Sequence, residues 1–224
     1  MQQISTLTND QLWQAVDAQR RRLIDLLASL RDDEWAHQTL CADWNVKQVA
    51  AHLAWQVGMV TGRGMPAMIP LLVRHRGDMF AAIGDAAIRY AAARTTSQIL
   101  AELRALVGLH RHLLKGTDHE VLIDTLVHYQ DIALPLGRPL DLDPAAAAEA
   151  ADRAWSQPKG FTLPVTRRLA EFRWRATDID WDRGDGPLIE GPMGAILLAL
   201  MGREVAFELL HGAAPSLAAA KRVL

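Results

Sequence analysis

At three helix starts in the first 120 residues, a hydroxyl or amide side chain stands three positions before a glutamine or glutamate at the head of a run with helical period. The pairs are Thr8 with Gln11, Asn45 with Gln48, and Thr117 with Glu120. At this spacing an N-cap side chain and the third helical residue satisfy each other's backbone N–H groups, so each pair marks a helix start. Behind Thr8, the residues Leu12, Ala15, Val16, Leu23, Leu26, Leu27 and Leu30 follow one face; behind Asn45, Val46, Val49, Leu53 and Val57 do. Helical text also covers 79–93, and from Thr96 onward Ile99, Leu103, Leu106 and Leu113 share a side. Such a chain must bury several apolar stripes against one another, which is the problem an antiparallel helix bundle solves.

Between these runs, residues 61–78 carry two prolines and three glycines and are expected to form an irregular connection. "LPLGRP" at 134–139 closes the helix begun at Thr117. "RRR" at 20–22 falls inside the first helix and is expected on its solvated side.

Past residue 140 the texture changes. Asp143-Pro144 opens an alanine-rich helix that ends near Trp155, by N-cap and first-turn proline logic. Phe172, Trp174 and Ala176 then alternate with Arg173, Arg175 and Thr177, the period of a half-buried strand. "DRGDGP" is expected to turn, "LIEGP" to form a second short strand, and residues 193–211 a last helix ended by Gly212. The expected architecture is mainly α: a helical bundle over 1–140 and a small α+β appendage over 141–224.

Composition narrows the function. The 224 residues are 50% hydrophobic and 22% charged, with a net charge of −2, so there is no basic footprint for nucleic acid and no polybasic membrane anchor. A single cysteine excludes an internal disulfide framework and suits a reducing cytosol. With no apolar signal core and no run long enough to span a bilayer, a cytoplasmic protein without nucleic-acid or membrane partners is expected.

Against that background "IDTLVHYQD" at 123–131 stands out. Asp124, His128 and Asp131 occupy i, i+4 and i+7, a sector of about 60° on a helix, flanked by Leu122, Ile123, Leu126, Val127 and Ile132. His52 stands between Ala51 and Leu53 on the second helix. Two imidazoles and a carboxylate from facing helices suit zinc with open positions for water or substrate, and nickel or ferrous iron would accept the same donors. Spacing alone leaves the bland readings standing: an Asp–His pair at i, i+4 is more often a helix ion pair, and a lone histidine on an apolar helix more often a core residue. His110 and His112 are two apart and point to different sides. Trp44, Trp55 and Tyr129 are expected to pack, and Cys41 is more readily a small buried thiol than a nucleophile.

Resemblance adds a direction. "CADWNVKQVAAHLA" resembles the cysteine-x-x-tryptophan to alanine-histidine-leucine stretch of the mycothiol-dependent maleylpyruvate isomerase family, within the DinB-like metal-binding bundles. "DTLVHYQDIALPLGRP" resembles that family's acidic-x-x-x-histidine signature, and "ATDIDWDRGDGPLIEGPMGAILLALMGR" its C-terminal strand, Gly-Pro turn and helix. The three stretches fall in order and span 41–203. The resemblance implies a DinB-like four-helix bundle in which His52, Asp124 and His128 hold a divalent metal. It also implies an Arg203 near the thiol and substrate pocket, and a low-molecular-weight thiol, mycothiol, as cosubstrate. One departure is an aspartate at 124 where the isomerase branch has glutamate. Asp131 is left either orienting a ligand imidazole or capping and pairing.

The expected partners are a small-molecule thiol and an electrophilic substrate, in a monomer or homodimer. The expected chemistry is S-transfer or cis–trans isomerisation. The alternative is a non-catalytic DinB-like metal-binding or stress-related interaction protein.

Overall fold

The structure, a computed structural model, describes residues 7–60, 65–112, 117–140, 142–156, 169 and 171–214. It is mainly helical with a small C-terminal sheet, and it divides into two compact units: Trp13–Asp141, and Met1–Leu12 together with Leu142–Leu224.

The first unit contains α1 (Asn9–Ala28, which begins in the other unit), α2 (Val46–Val60), α3 (Met65–Arg74), α4 (Met79–Ala92), α5 (Thr96–Leu106) and α6 (Asp118–Ala133). The N-cap pairs form as the spacing predicts. Thr8 N–H donates to Gln11 Oε1 at 2.9 Å, Asn45 N–H to Gln48 Oε1 at 2.8 Å, and Thr117 N–H to Glu120 Oε2 at 2.7 Å. Helix α2 packs against α4, α5 and α6. Val46, Val49, Leu53, Ile99, Leu103, Leu106, Leu122, Leu126 and Ile132 are buried in the core, as are Val16, Leu23 and Leu27 of α1. The expected contributions of Val57 and Leu113 lie outside the described side chains.

Two expectations in this unit are overturned. Residues 65–74 are helical despite their prolines. Pro66 stands in the first turn, where its missing N–H has no helical partner, so only Pro70 removes a hydrogen bond from within the helix. Arg20 is not on a solvated face. It is 5% exposed, and its guanidinium donates to the Leu106 carbonyl at 2.6 Å beside Asp17. Arg21 is exposed and Arg22 half-buried.

The second unit packs α7 (Pro144–Trp155) against α8 (Met193–Leu200). Asp143 caps α7 by accepting from Ala145 N–H at 3.0 Å. Four strands, β1 (Arg173–Ala176), β2 (Asp182–Arg183), β3 (Leu188–Gly191) and β4 (His211–Gly212), form a sheet in the order β2-β1-β3-β4. Strands β1 and β3 are parallel with Trp174 opposite Ile189, both fully buried, and the outer pairs are antiparallel. Asp152 of α7 accepts from Trp181 Nε1 at 3.0 Å and from two nitrogens of Arg183 at 2.8 Å, anchoring β2 and its approach.

Here too the sequence expectation is corrected. Asp182 and Arg183 are strand rather than turn, and the last helix ends at Leu200, not at Gly212. Gly202 takes φ +82°, its N–H meets the Ala199 carbonyl and Arg203 N–H the Leu198 carbonyl, both at 3.0 Å, which closes the helix in a left-handed C-terminal turn. A 3-10 turn at Glu204–Leu209 follows. Among the described residues no helix is long and apolar enough to cross a membrane.

Candidate metal centre

Helices α2 and α6 each present a pair of residues one turn apart to the other. From α2 come His52 and Gln56, and from α6 come Asp124 and His128. The i, i+4 spacing stacks each pair on one helix face, so one packed interface sets all four side chains. Asp124 Oδ1 lies 3.2 Å from His128 Nε2 and 3.6 Å from His52 Nε2, and the two imidazoles meet edge to face with centroids 5.1 Å apart. One donor atom from each of His52, Asp124 and His128 falls within 4.8 Å of the other two.

The surroundings orient these groups unequally. Asp131, wholly buried, accepts from His128 Nδ1 at 2.9 Å, so Nε2 is the nitrogen His128 turns toward Asp124. The orienting reading of Asp131 is the one the geometry supports. The Cys41 thiol donates to the same Asp131 Oδ2 at 3.2 Å and lies 3.8 Å from His128 Nδ1. Cys41 is held by a tight loop: Gln38 Nε2 donates to the carbonyls of Cys41 at 2.8 Å and Trp44 at 2.9 Å, and Leu40 N–H to the Asp131 carbonyl at 3.1 Å. Trp44, from that loop, lies against both imidazoles, its ring 5.1 Å from His52 and 6.1 Å from His128. It walls the cluster as well as starting α2. His52 Nδ1, by contrast, is buried without a hydrogen-bond partner among the described residues, so packing holds that side of the ring.

Electrostatics follow from this geometry. Burial opposes ionisation of Asp124, but the facing charges of His128 and then His52 outweigh it and hold the carboxyl well below its usual range. Burial likewise opposes charge on His128, yet Asp124 beside one nitrogen and Asp131 beside the other raise its pKa well above that of a free imidazole.

A second grouping, Cys41, His128 and Asp131, also brings donor atoms within 4.8 Å. There, however, Asp131 is wholly buried and its Oδ2 already accepts from both neighbours. In the His52–Asp124–His128 group the Asp124 side chain is 27% exposed, so that group alone of the two combines two nitrogens, a carboxylate and access from outside. The donor set fits zinc, nickel or ferrous iron.

Arg203 belongs to the other unit, at the start of its 3-10 turn, where its guanidinium donates to the Met201 carbonyl at 2.8 Å. Trp55 packs with Met68, Ala82 and Ala86, and Tyr129 donates to the Pro139 carbonyl at 3.1 Å. His110 pairs with Asp17 at 3.0 Å and stacks on Trp13, and His75 pairs with Asp85 at 3.1 Å. Gln56 was not singled out by the sequence reading, although its i+4 spacing from His52 is the signal that would have found it.

Residues 16–120 match the family described as the mycothiol maleylpyruvate isomerase N-terminal domain, a stretch that includes His52 and stops short of Asp124. The fold is similar to the crystal structure of a mycothiol-dependent maleylpyruvate isomerase, at TM-score 0.60 and 11% identity over 91% of this chain and 92% of that one. It is similar also to a histidine-to-alanine mutant of a mycothiol-dependent maleylpyruvate isomerase, at TM-score 0.59 and 10% identity over the same shares. No curated protein matches the sequence. The family match thus covers residues 16–120, and the fold is the one these two crystal structures share.

Proposed function

We propose that this protein is a divalent-metal-dependent enzyme that uses a low-molecular-weight thiol, mycothiol, to isomerise or S-substitute a small electrophile. Its helical unit is then a DinB-like four-helix bundle with the metal site between α2 and α6. The observation that carries this reading is the convergence of His52, Asp124 and His128, three donors from two helices within 4.8 Å. Zinc is the first choice for this donor set, with nickel or iron as alternatives.

A bound divalent ion would supply Lewis acidity, lowering the pKa of a coordinated thiol so that thiolate is available at neutral pH. The protein's own groups do the rest. Asp131 holds His128 in one tautomer, and Trp44 lies against both imidazoles.

The reaction needs no protein nucleophile. Thiolate adds to the β-carbon of a conjugated double bond, and the π electrons move onto the carbonyl oxygen. The former double bond rotates, and expulsion of thiolate restores it in the other geometry. With a leaving group on the carbon, the same attack ends in S-transfer.

Elemental mass spectrometry of the tag-free protein beside His52→Ala and His128→Ala tests the centre. About one ion per wild-type chain, lost in both folded variants, is the expected result. A folded wild type that stays metal-free after reconstitution overturns the reading. Metal without any thiol affinity would leave a non-catalytic metal-binding bundle.

A further inference from the structure

Gln56 is the fourth residue of the two facing pairs, and its amide nitrogen is engaged with Asp124. Its side-chain amide donates to Asp124 Oδ2, while Asp124 Oδ1 is the oxygen that faces both imidazole Nε2 atoms. The identity of the donor is fixed by chemistry: an ionised carboxylate only accepts, so the amide must turn its NH₂ and not its oxygen toward Asp124. The two carboxylate oxygens therefore have different tasks before any ion arrives. Oδ2 is occupied by a neutral donor from the facing helix, and Oδ1 alone remains directed at the point that His52 and His128 share.

We propose that Gln56 is a positioning residue that restricts Asp124 to a single ligand oxygen. The inference rests on the metal-binding reading above and deepens it. An untethered carboxylate can offer one oxygen or both to a cation. Gln56 removes that option through an uncharged donor, which leaves the carboxylate's full charge available to a cation. A lysine or arginine in its place would neutralise that charge. Gln56 and His52 are one turn apart on the same helix, so the tether reaches Asp124 from the same face of α2 as the ligand.

The test uses cobalt(II) as the probe, with the full-length protein stripped of metal, in wild type, Gln56→Met and Gln56→Asn. Methionine keeps the length and loses the donor; asparagine keeps the amide but draws it back by one methylene. Wild type is expected to give the intense visible bands of four-coordinate cobalt. Both variants are expected to give the weaker bands of a higher coordination number, and to bind cobalt about 10- to 100-fold more weakly. Their metal-free melting temperatures separate this role from a plain helix–helix tie. Lowered melting with unchanged bands and affinity overturns the proposal, as does no change in either variant. Should Gln56→Met fail to fold, the bands of Gln56→Asn decide alone. A wild type that takes up no cobalt overturns the metal-binding reading and this inference with it, whereas cobalt bound identically by all three proteins overturns this inference only.

Discussion

At the scale of single residues the site is a contest between protons and a cation for His128. In the metal-free protein its raised pKa keeps the imidazole charged near neutrality, clamped between Asp124 and Asp131. A histidine whose folded pKa exceeds the unfolded value, about 6.5, contributes stability that is full below that value and is lost as pH rises through the folded pKa. Asp124, whose pKa is depressed, contributes stability that is present above about 3.8 and is lost as pH falls through the folded value. The metal-free pair is thus fully effective between roughly pH 4 and 6.5. A metal ligand must be a neutral imidazole, so loading the site at pH 7 must expel a proton. Calorimetric zinc titrations in buffers of differing ionisation enthalpy should show release approaching one proton per ion, with affinity rising as pH rises. A zinc affinity flat between pH 6 and 8 would mean that His128 is not a ligand.

At the scale of elements, the capped helix starts were legible, while helix α3 and the end of α8 were not. Capping is local: Thr8, Asn45 and Thr117 meet partners three residues away, which no tertiary contact needs to arrange. The end of α8 was obscured because apolar residues continue beyond it. Ala206, Phe207 and Leu210 are buried from the 3-10 turn and its exit, so hydrophobic pattern runs on where the helix does not. Gly202 carried the true signal. With φ at +82°, an L side chain there is strained, and Gly202→Ala should cost about 1–2 kcal/mol in a urea unfolding experiment. An unchanged midpoint would mean that the turn relaxes without it. Helix α3 was obscured for the opposite reason: its two prolines signal a break, yet Pro66 occupies the first turn, where proline is tolerated.

For the whole molecule, the proposed centre joins α2 and α6, which are far apart in the chain, so a bound ion acts as a cross-link in the folded state only. At free zinc one hundred times its Kd, linkage adds about 2.7 kcal/mol of stability. Scanning calorimetry should therefore show a transition several degrees higher with zinc than with a chelator, and His52→Ala should abolish the difference. A transition that ignores zinc would detach the site from the fold.

What the sequence by itself determined is what repeats along the chain: helix starts, the apolar stripes, the strand period at 172–177, and the stripe that puts Asp124, His128 and Asp131 on one face. These depend on spacing of a few residues, and backbone geometry converts spacing into direction. Only the tertiary structure decided which stripes meet and which polar groups they trap. It made Arg20 a buried partner of the Leu106 carbonyl, set Cys41 and His128 on one oxygen of Asp131, and paired β1 parallel to β3. It brought Gln56 against Asp124, 68 positions away. Those contacts depend on how helices and strands rotate and cross as the core packs, and that is a property of many side-chain volumes at once rather than of any local pattern.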